Sequence, residues 1–388
     1  MADWPVLTFE TALWDTPDSA MSHNRRRRAV GVFSPAVVPE IADAMVEMVS
    51  EVRDIVSDAE REIRTFEASR LGSVPFAAVL MRSESASSSQ IEALTASARR
   101  LSLAMLGDSA SPNAVIVANN VKAMAEATSR TGAIDLEAIL SIHREIMANQ
   151  DPGAAGRMRS EQVWIGGVSP VVARYVPPTA ARVPAAMADL AAFVARTDVP
   201  PLAHAAVAHA HFETIHPFTD GNGRTGRALV TMMLHQAGVT PRAPLPLSAG
   251  LLSNTDTYFD ALEAYRRGDI QQIIVRFADA AHAAVDNAGR LVDDIERIRQ
   301  EIYASQVRHS RSFIRIVDVC VAEGAFTAQT MVDAGIPLPT AYRQVERLAS
   351  AGILREEHKI HGQRVWSVPA VLKALDDFAA RAGRRSWR

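Results

Sequence analysis

The run His216-Pro-Phe-Thr-Asp-Gly-Asn-Gly-Arg-Thr-Gly-Arg227 decides how this chain is read. Upstream of it, residues 201–214 read PLAHAAVAHAHFET, dominated by Ala, Val, Leu and Phe, which predicts a buried helix. Pro217 has no N–H and disfavours helix in the residue before it, so the helix ends there and His216 sits at the mouth of a loop. Downstream, residues 227–235 read as a second apolar helix. Asp220-Gly-Asn-Gly223 is then a turn feeding a helix N-terminus. Glycine permits positive φ and a close ligand, and first-turn N–H groups at the positive dipole end suit an anion.

Each polar residue here has a chemistry. Asp220 offers a hard oxygen to Mg2+, which takes one or two carboxylates plus substrate phosphates. Arg224 and Arg227 are three apart, share a helix face and present forked donors to phosphate. Asn222 offers a further side-chain donor. An imidazole titrates near neutrality, so His216 can accept the proton of a hydroxyl attacking phosphorus. Taken singly, a histidine at a helix end is commonly structural and Asp-Gly-Asn-Gly an ordinary turn. Their gathering at one loop-to-helix junction points to a metal-bound polyphosphate beside a proton acceptor. A P-loop is excluded, because no GxxxxGK(S/T) occurs.

At every fixed position this run resembles HPFx(D/E)GNGRxxR, the signature of the Fic family of nucleotidyltransferases. The resemblance implies an enzyme that moves AMP from ATP to a Ser, Thr or Tyr hydroxyl of a target protein, itself included. It implies His216 as the base and Asp220 as the holder of Mg2+. Gly221, Asn222 and Gly223 become the anion cradle, and Arg224 and Arg227 meet the β- and γ-phosphates. Thr225 and Gly226 complete the ATP-binding run, and Phe218 anchors the loop by packing. Upstream, Ser88-Ser-Gln-Ile-Glu92-Ala93 resembles the family's inhibitory (S/T)xxxE(G/N) helix. This implies that Glu92 occupies the fork of Arg227 and holds transfer down, with Ser88 as the other matched position. Ala93 departs from the pattern, which leaves the turn geometry open.

The run at 162–178 resembles the family's flap. Short apolar stretches around Gly166-Gly167 read as a hairpin, with Val163, Trp164, Ile165 and Gly166 as the edge that adds a strand to the target. Tyr258 and Phe259 fall in a segment resembling the adenine-pocket helix. A core role explains Tyr258, Tyr265 and Phe277 equally well.

The 388 residues allow two or three domains of roughly 100–200 residues. Hydrophobic and charged contents of 48 % and 22 % fit a globular protein, and a net charge of −3 exerts no global pull toward nucleic acid. One cysteine, Cys320, excludes an internal disulfide framework and fits a reducing compartment. No leader pattern opens the chain and no apolar stretch approaches the roughly 18–20 residues of a span, so a cytoplasmic protein without membrane contact is expected. The arginine run at 25–28 reads as a solvated face.

Helices are expected at 39–65, 90–106, 114–127, 135–147, 183–196 and 270–303, the last broken near 286–289. The expected fold is all-α: a Fic-type helical core with a small β-hairpin flap, plus a C-terminal winged-helix module. Its parts are residues 1–110 with the inhibitory helix, 111–305 with the catalytic core and linker helix, and 306–388.

The last part reads as helices at 312–322, 327–335 and 339–351, then strands at 353–358 and 364–368, a pattern resembling a winged helix-turn-helix. Residues 308–388 carry a surplus of five positive charges, which suits DNA phosphates. Thr340, Arg343, Gln344 and Arg347 are placed for a major groove, and Lys359 and Arg364 for the backbone. Glu356 and Glu357 oppose this, and protein binding or a homo-oligomer stay open. Other readings are transfer of another phosphoryl-containing group, and a nucleotide-sensing DNA-binding regulator. The weakest is a metal hydrolase built on His204, His209, His211 and His216, which lacks any HExxH.

Overall fold

The computed structural model describes residues 4–15, 29–71, 76–306 and 310–383, so the arginine run at 25–28 lies outside the described residues. The structure is predominantly helical. Short strands β1 (Thr8–Phe9), β2 (Ala12–Trp14), β3 (Gly31–Phe33) and β4 (Ala36–Val37) come first. Then follow α1 (Ser50–Arg70), α2 (Phe76–Ile91), α3 (Ala98–Met105), α4 (Pro112–Ser129), α5 (Leu136–Met147), α6 (Val183–Val194), α7 (Pro201–Ile215) and α8 (Asn222–Gln236). The chain continues through α9 (Leu247–Leu252), α10 (Thr255–Arg266), α11 (Gln271–Ala304) and α12 (Arg311–Glu323). It ends with β5 (Ala325–Thr327), α13 (Ala328–Asp333), α14 (Leu338–Ser350), β6 (Arg355–Glu356), β7 (Val365–Ser367) and α15 (Pro369–Ala382). It divides into two compact units, one of residues 1–56, 130–234 and 256–277, the other of 57–129, 235–255 and 278–388.

In the first unit α7 is buried on every side from Leu202 to Ile215, as a helix apolar all round requires. The Asp135 side chain caps α5 by accepting the Ala138 N–H at 2.8 Å, and Ile139, Ile142 and Ile146 turn one face inward. β1 pairs with β4 and β2 with β3, both antiparallel. Residues 39–49 are not helical, against expectation. The Asp189 carboxylate accepts the N–H groups of Ile41 (2.7 Å) and Ala42 (3.1 Å), and Gln271 accepts that of Val49 (3.2 Å). With those donors committed to distant side chains, the helix begins only at Ser50.

In the second unit α2 packs on α4 and α9, and the buried Glu84 carboxylate accepts the Ser248 N–H at 2.8 Å. A Cβ on Gly250 would lie 2.0 Å from the Ala280 carbonyl, so the crossing of α9 and α11 requires glycine. The helix expected over 90–106 is two helices. α2 stops because Ala93 takes φ 62°, with Ala93 N–H donating to the Gln90 carbonyl (2.9 Å) and Leu94 N–H to that of Ser89 (3.0 Å). Ser97 then caps α3. The left-handed position is the one glycine or asparagine occupies at helix ends, and an alanine there costs about 1–2 kcal/mol. Ala93→Gly is therefore expected to stabilise the chain by about 1 kcal/mol, read as a higher urea midpoint. An unchanged midpoint would mean that this turn carries no backbone strain.

The break expected near 286–289 is absent, and α11 runs unbroken for 34 residues. Asp286 and Arg290 pair across one turn at 3.0 Å, and Asn287 donates to the Phe378 carbonyl at 3.2 Å. The polar residues that suggested a break are held by partners that leave the helix ladder intact.

The C-terminal stretch forms α12, α13 and α14 with a sheet in the order β5-β7-β6. β5 and α15 carried no clear sequence signal. Thr327 and Thr330 form a reciprocal capping box on α13. Leu103 of α3 clusters with Ala325, Ile360 and Val365, so α3 packs against this sheet. Arg343 and Arg347 are exposed on α14. Gln344 is not placed for a groove: it is buried and accepts a hydrogen bond from Gln306 at 2.9 Å. Arg364 pairs with Glu356 (2.8 Å) and Glu346 (2.7 Å), and Glu357 pairs with Arg99 of α3. Among the described residues no helix is long and apolar enough to cross a membrane.

Candidate functional site

The loop leaving α7 turns on its histidine. His216 is the C-cap, with φ 50° and ψ 62°, a left-handed conformation uncommon outside glycine. Its N–H donates to the Phe212 carbonyl at 2.9 Å, and its own carbonyl accepts from Arg159 Nε at 2.9 Å. Arg159 also donates to the carbonyls of Glu161 (2.9 Å) and Pro178 (2.6 Å), and its N–H to that of Pro217 (2.9 Å). Burial lowers its pKa to about 10, still leaving it a cation near neutrality. This one buried arginine thus fixes the strained backbone of His216 to the start and end of the flap. No sequence feature pointed to it. The His216 side chain is 20 % exposed.

The loop then closes on itself. Asn222 Oδ1 accepts the Phe218 N–H (2.9 Å) while its amide donates to the Phe218 carbonyl (2.8 Å). Asn222 thereby braces the loop. Phe218 is fully buried, its ring stacked on His143 at 3.6 Å. The His143 Nδ1 accepts the Gly156 N–H (3.0 Å), so its Nε2–H is assigned as donor to the Asp220 carbonyl (3.1 Å). Burial pushes its pKa down to about 4, consistent with the neutral ring this network requires. Gly221 has φ 75°, and a Cβ there would lie 3.0 Å from Met147 Sδ, so the turn needs glycine.

The Asp220 side chain is 65 % exposed and accepts the Gly221 N–H at 2.6 Å. Gly223 lies in the first turn of α8, where amide donors have no intrahelical partner. Arg224 is 1 % exposed, its guanidinium donating to Gln150 (2.6 Å) and standing 3.8 Å from the Asp220 carboxylate. Arg227 is buried on the same helix. Thr225 and Gly226 lie in the packing of α8. Thr225 is fully buried, and a Cβ on Gly226 would meet His209 at 2.9 Å and Phe212 at 3.0 Å, so glycine lets α8 lie close on α7.

The flap is not a hairpin turning at Gly166-Gly167. A single bridge joins Ile165 and Tyr175, with a 3-10 turn at Pro170–Val172 between them. Both glycines take positive φ, and a Cβ on Gly167 would lie 2.5 Å from the Val172 carbonyl, so the chain curls back in a wide loop. Val163, Trp164 and Ile165 are half-buried, with Trp164 against Trp14, and Gly166 is exposed. Tyr175 ties the loop down by donating to the Thr214 carbonyl at 2.7 Å, just before His216.

Tyr258 is 1 % exposed, packed in the core with its hydroxyl 2.8 Å from His209 Nε2. Phe259 is half-buried against it, ring centroids 5.1 Å apart. The α7 histidines take separate partners: His204 the Phe193 carbonyl (2.9 Å), His209 Tyr258, and His211 the Tyr265 hydroxyl (2.8 Å). Burial lowers the His211 pKa to about 3 and holds it neutral. Among the described residues no cluster of His, Cys, Asp and Glu is placed to hold a metal by itself. Of the inhibitory match, Ser88 is buried in α2, and Glu92 lies exposed one residue past its end.

Residues 133–234, which fall within one segment of the first unit, match the Fic/DOC family. The chain is similar to protein adenylyltransferase fic-1 of Caenorhabditis briggsae, 32 % identical over 152 residues, 39 % of this chain and 28 % of that protein. It is also similar to protein adenylyltransferase Fic of Aedes aegypti, 31 % identical over 156 residues, 39 % of this chain and 29 % of that protein. The chain thus spans less than a third of these relatives. A solved Fic family protein from Desulfovibrio desulfuricans shares the fold at TM-score 0.54 and 21 % identity, over 83 % of this chain and 97 % of that one. With the complete twelve-residue run at the junction of α7 and α8, these matches make residues 133–234 a domain of the Fic/DOC family.

Proposed function

We propose that this chain is a protein adenylyltransferase, moving AMP from ATP to a Ser, Thr or Tyr hydroxyl of a target protein, itself included. One observation carries the reading: a solvent-reaching imidazole, an exposed carboxylate and two buried arginines converge on one loop and the helix it feeds. The relatives named protein adenylyltransferase support it. His216 takes the proton of the target hydroxyl, which attacks the α-phosphorus as pyrophosphate leaves. The first turn of α8 receives phosphate oxygens, Arg224 and Arg227 neutralise them, and rate comes from positioning and charge. Asp220 fits a magnesium ion, which takes few protein carboxylates and fills its shell from substrate and water. When bound, the ion neutralises charge on the phosphates.

In this reading residues 1–110 regulate through Glu92, 111–305 catalyse, and 306–388 form a winged helix. The test is incubation with ATP labelled at either the α- or the γ-phosphorus. Label retained on protein only from the α position supports AMP transfer. Label only from the γ position means phosphoryl transfer, and label from neither leaves the sensor reading.

The exposed pair Arg343 and Arg347 on α14 favours a second role, contact with DNA phosphates by the C-terminal part. The full chain is expected to bind duplex DNA in a salt-sensitive manner. The double variant Arg343→Ala/Arg347→Ala should bind more weakly, with the log–log salt slope reduced by about 2. Wild-type binding that ignores salt would remove this role.

A further inference from the structure

We infer that Glu213 is the positioning residue of the base: its carboxylate receives the Nδ1–H of His216 and leaves Nε2 as the atom that takes the hydroxyl proton. This rests on the transfer reaction proposed above.

Glu213 has no evident reason of folding to be where it is. It lies in the last turn of α7, 7 % exposed within a helix of otherwise largely apolar residues. Burial opposes its charge, and the C-terminal end of a helix dipole repels it. What it faces is the catalytic ring. Glu213 Oε2 stands 3.7 Å from His216 Nδ1, just beyond hydrogen-bond length. Such contacts are commonly long before substrate binds and tighten with it. Among the described residues neither that Nδ1 nor Glu213 Oε1 has a hydrogen-bond partner, and both are sealed from solvent. The exposed part of the ring is therefore its other edge, which carries Nε2.

The surroundings keep the carboxylate ionised. Burial raises its pKa, but the contact with His216 and the charges of His209, His216 and Arg227 outweigh that and lower it to about 2. Arg266 adds a further favourable charge. The backbone of His216 is clamped by Arg159 at its carbonyl and by Phe212 at its N–H, so rotation of the ring is the freedom that a carboxylate has left to remove. In the step itself the hydroxyl O–H bond breaks as Nε2–H forms. The oxygen pair then bonds to the α-phosphorus, and the bond to pyrophosphate breaks. Glu213 stays ionised beside the imidazolium and takes no proton, the division of labour seen in carboxylate–histidine dyads.

The test uses the full chain, with Glu213→Gln and Glu213→Asp, in the labelled-ATP assay. The Gln variant should keep its ATP affinity by calorimetry and lose about 10²-fold in kcat. The Asp variant should recover part of the rate. A Gln variant with unaltered rate overturns the inference. So does equal loss of ATP affinity and thermal stability in both variants, which would make Glu213 purely structural. A wild-type chain that transfers nothing would count against the proposed function alone. The ring tautomer, read from two-bond 1H–15N spectra of wild type and the Gln variant, then still decides: a wild-type ring protonated at Nε2 and not at Nδ1 overturns the role of Glu213.

Discussion

His216→Ala is expected to abolish AMP transfer, with a loss of about 10²–10⁴-fold in kcat and ATP affinity retained. The change removes the base and, with it, the ring that faces the buried Glu213 carboxylate. The loop backbone is held through the His216 N–H and carbonyl, by Phe212 and Arg159, and both contacts survive in alanine. Alanine has to take the same left-handed conformation as histidine. The brace between Asn222 and Phe218 and the stack of Phe218 on His143 are untouched. Calorimetric ATP binding close to wild type should accompany the loss of label. Transfer at the wild-type rate by this variant would remove the base from the proposed mechanism.

Glu92→Gly is expected to raise transfer by roughly 5–150-fold, the range of a coupling of 1–3 kcal/mol. Resemblance to the inhibitory helix motivates the size, since a carboxylate that takes an arginine fork denies it to phosphate. Glu92 is exposed in the turn after α2, and the core contact at the helix end is made by the neighbouring buried Ile91. The combined variant Glu92→Gly/His216→Ala should be inactive, which separates relief of inhibition from a new activity. Ala93→Gly relaxes the same turn and leaves the carboxylate in place, so its activity shows whether the charge or the stiffness of the turn matters. Self-labelling by Glu92→Gly no stronger than wild type would refute the inhibitory role.

Whatever depended on neighbours in the chain was legible from residues alone. Pro217 ended α7, and the apolar run before it made a buried helix. The helices expected from 135 and 327 open at Asp135 and Thr327, because an N-cap acts on amides two or three residues away. The Asp220–Gly223 turn and its helix could be read because the loop and its glycines are contiguous.

Where the deciding partner lay far along the chain, the reading failed or stopped short. Asp189 withholds residues 41 and 42 from a helix across 148 and 147 positions. The loop between Ile165 and Tyr175 is wide because of how Gly167 meets Val172 in space. Tyr258 faces His209, 49 positions away, and its type alone could not separate a core ring from an open one. Asn222 sits in the motif, yet only the folded loop showed its amide bonded to both the N–H and the carbonyl of Phe218. Arg159 reaches the His216 carbonyl across 57 positions with no pattern to mark it. The order of residues determined the chemical inventory of the site and the helices that carry it, since periodicity, caps and turns are short-range. Tertiary packing decided which polar groups stay open to a ligand and which are consumed as braces, because a buried donor or acceptor must find a partner wherever the fold supplies one.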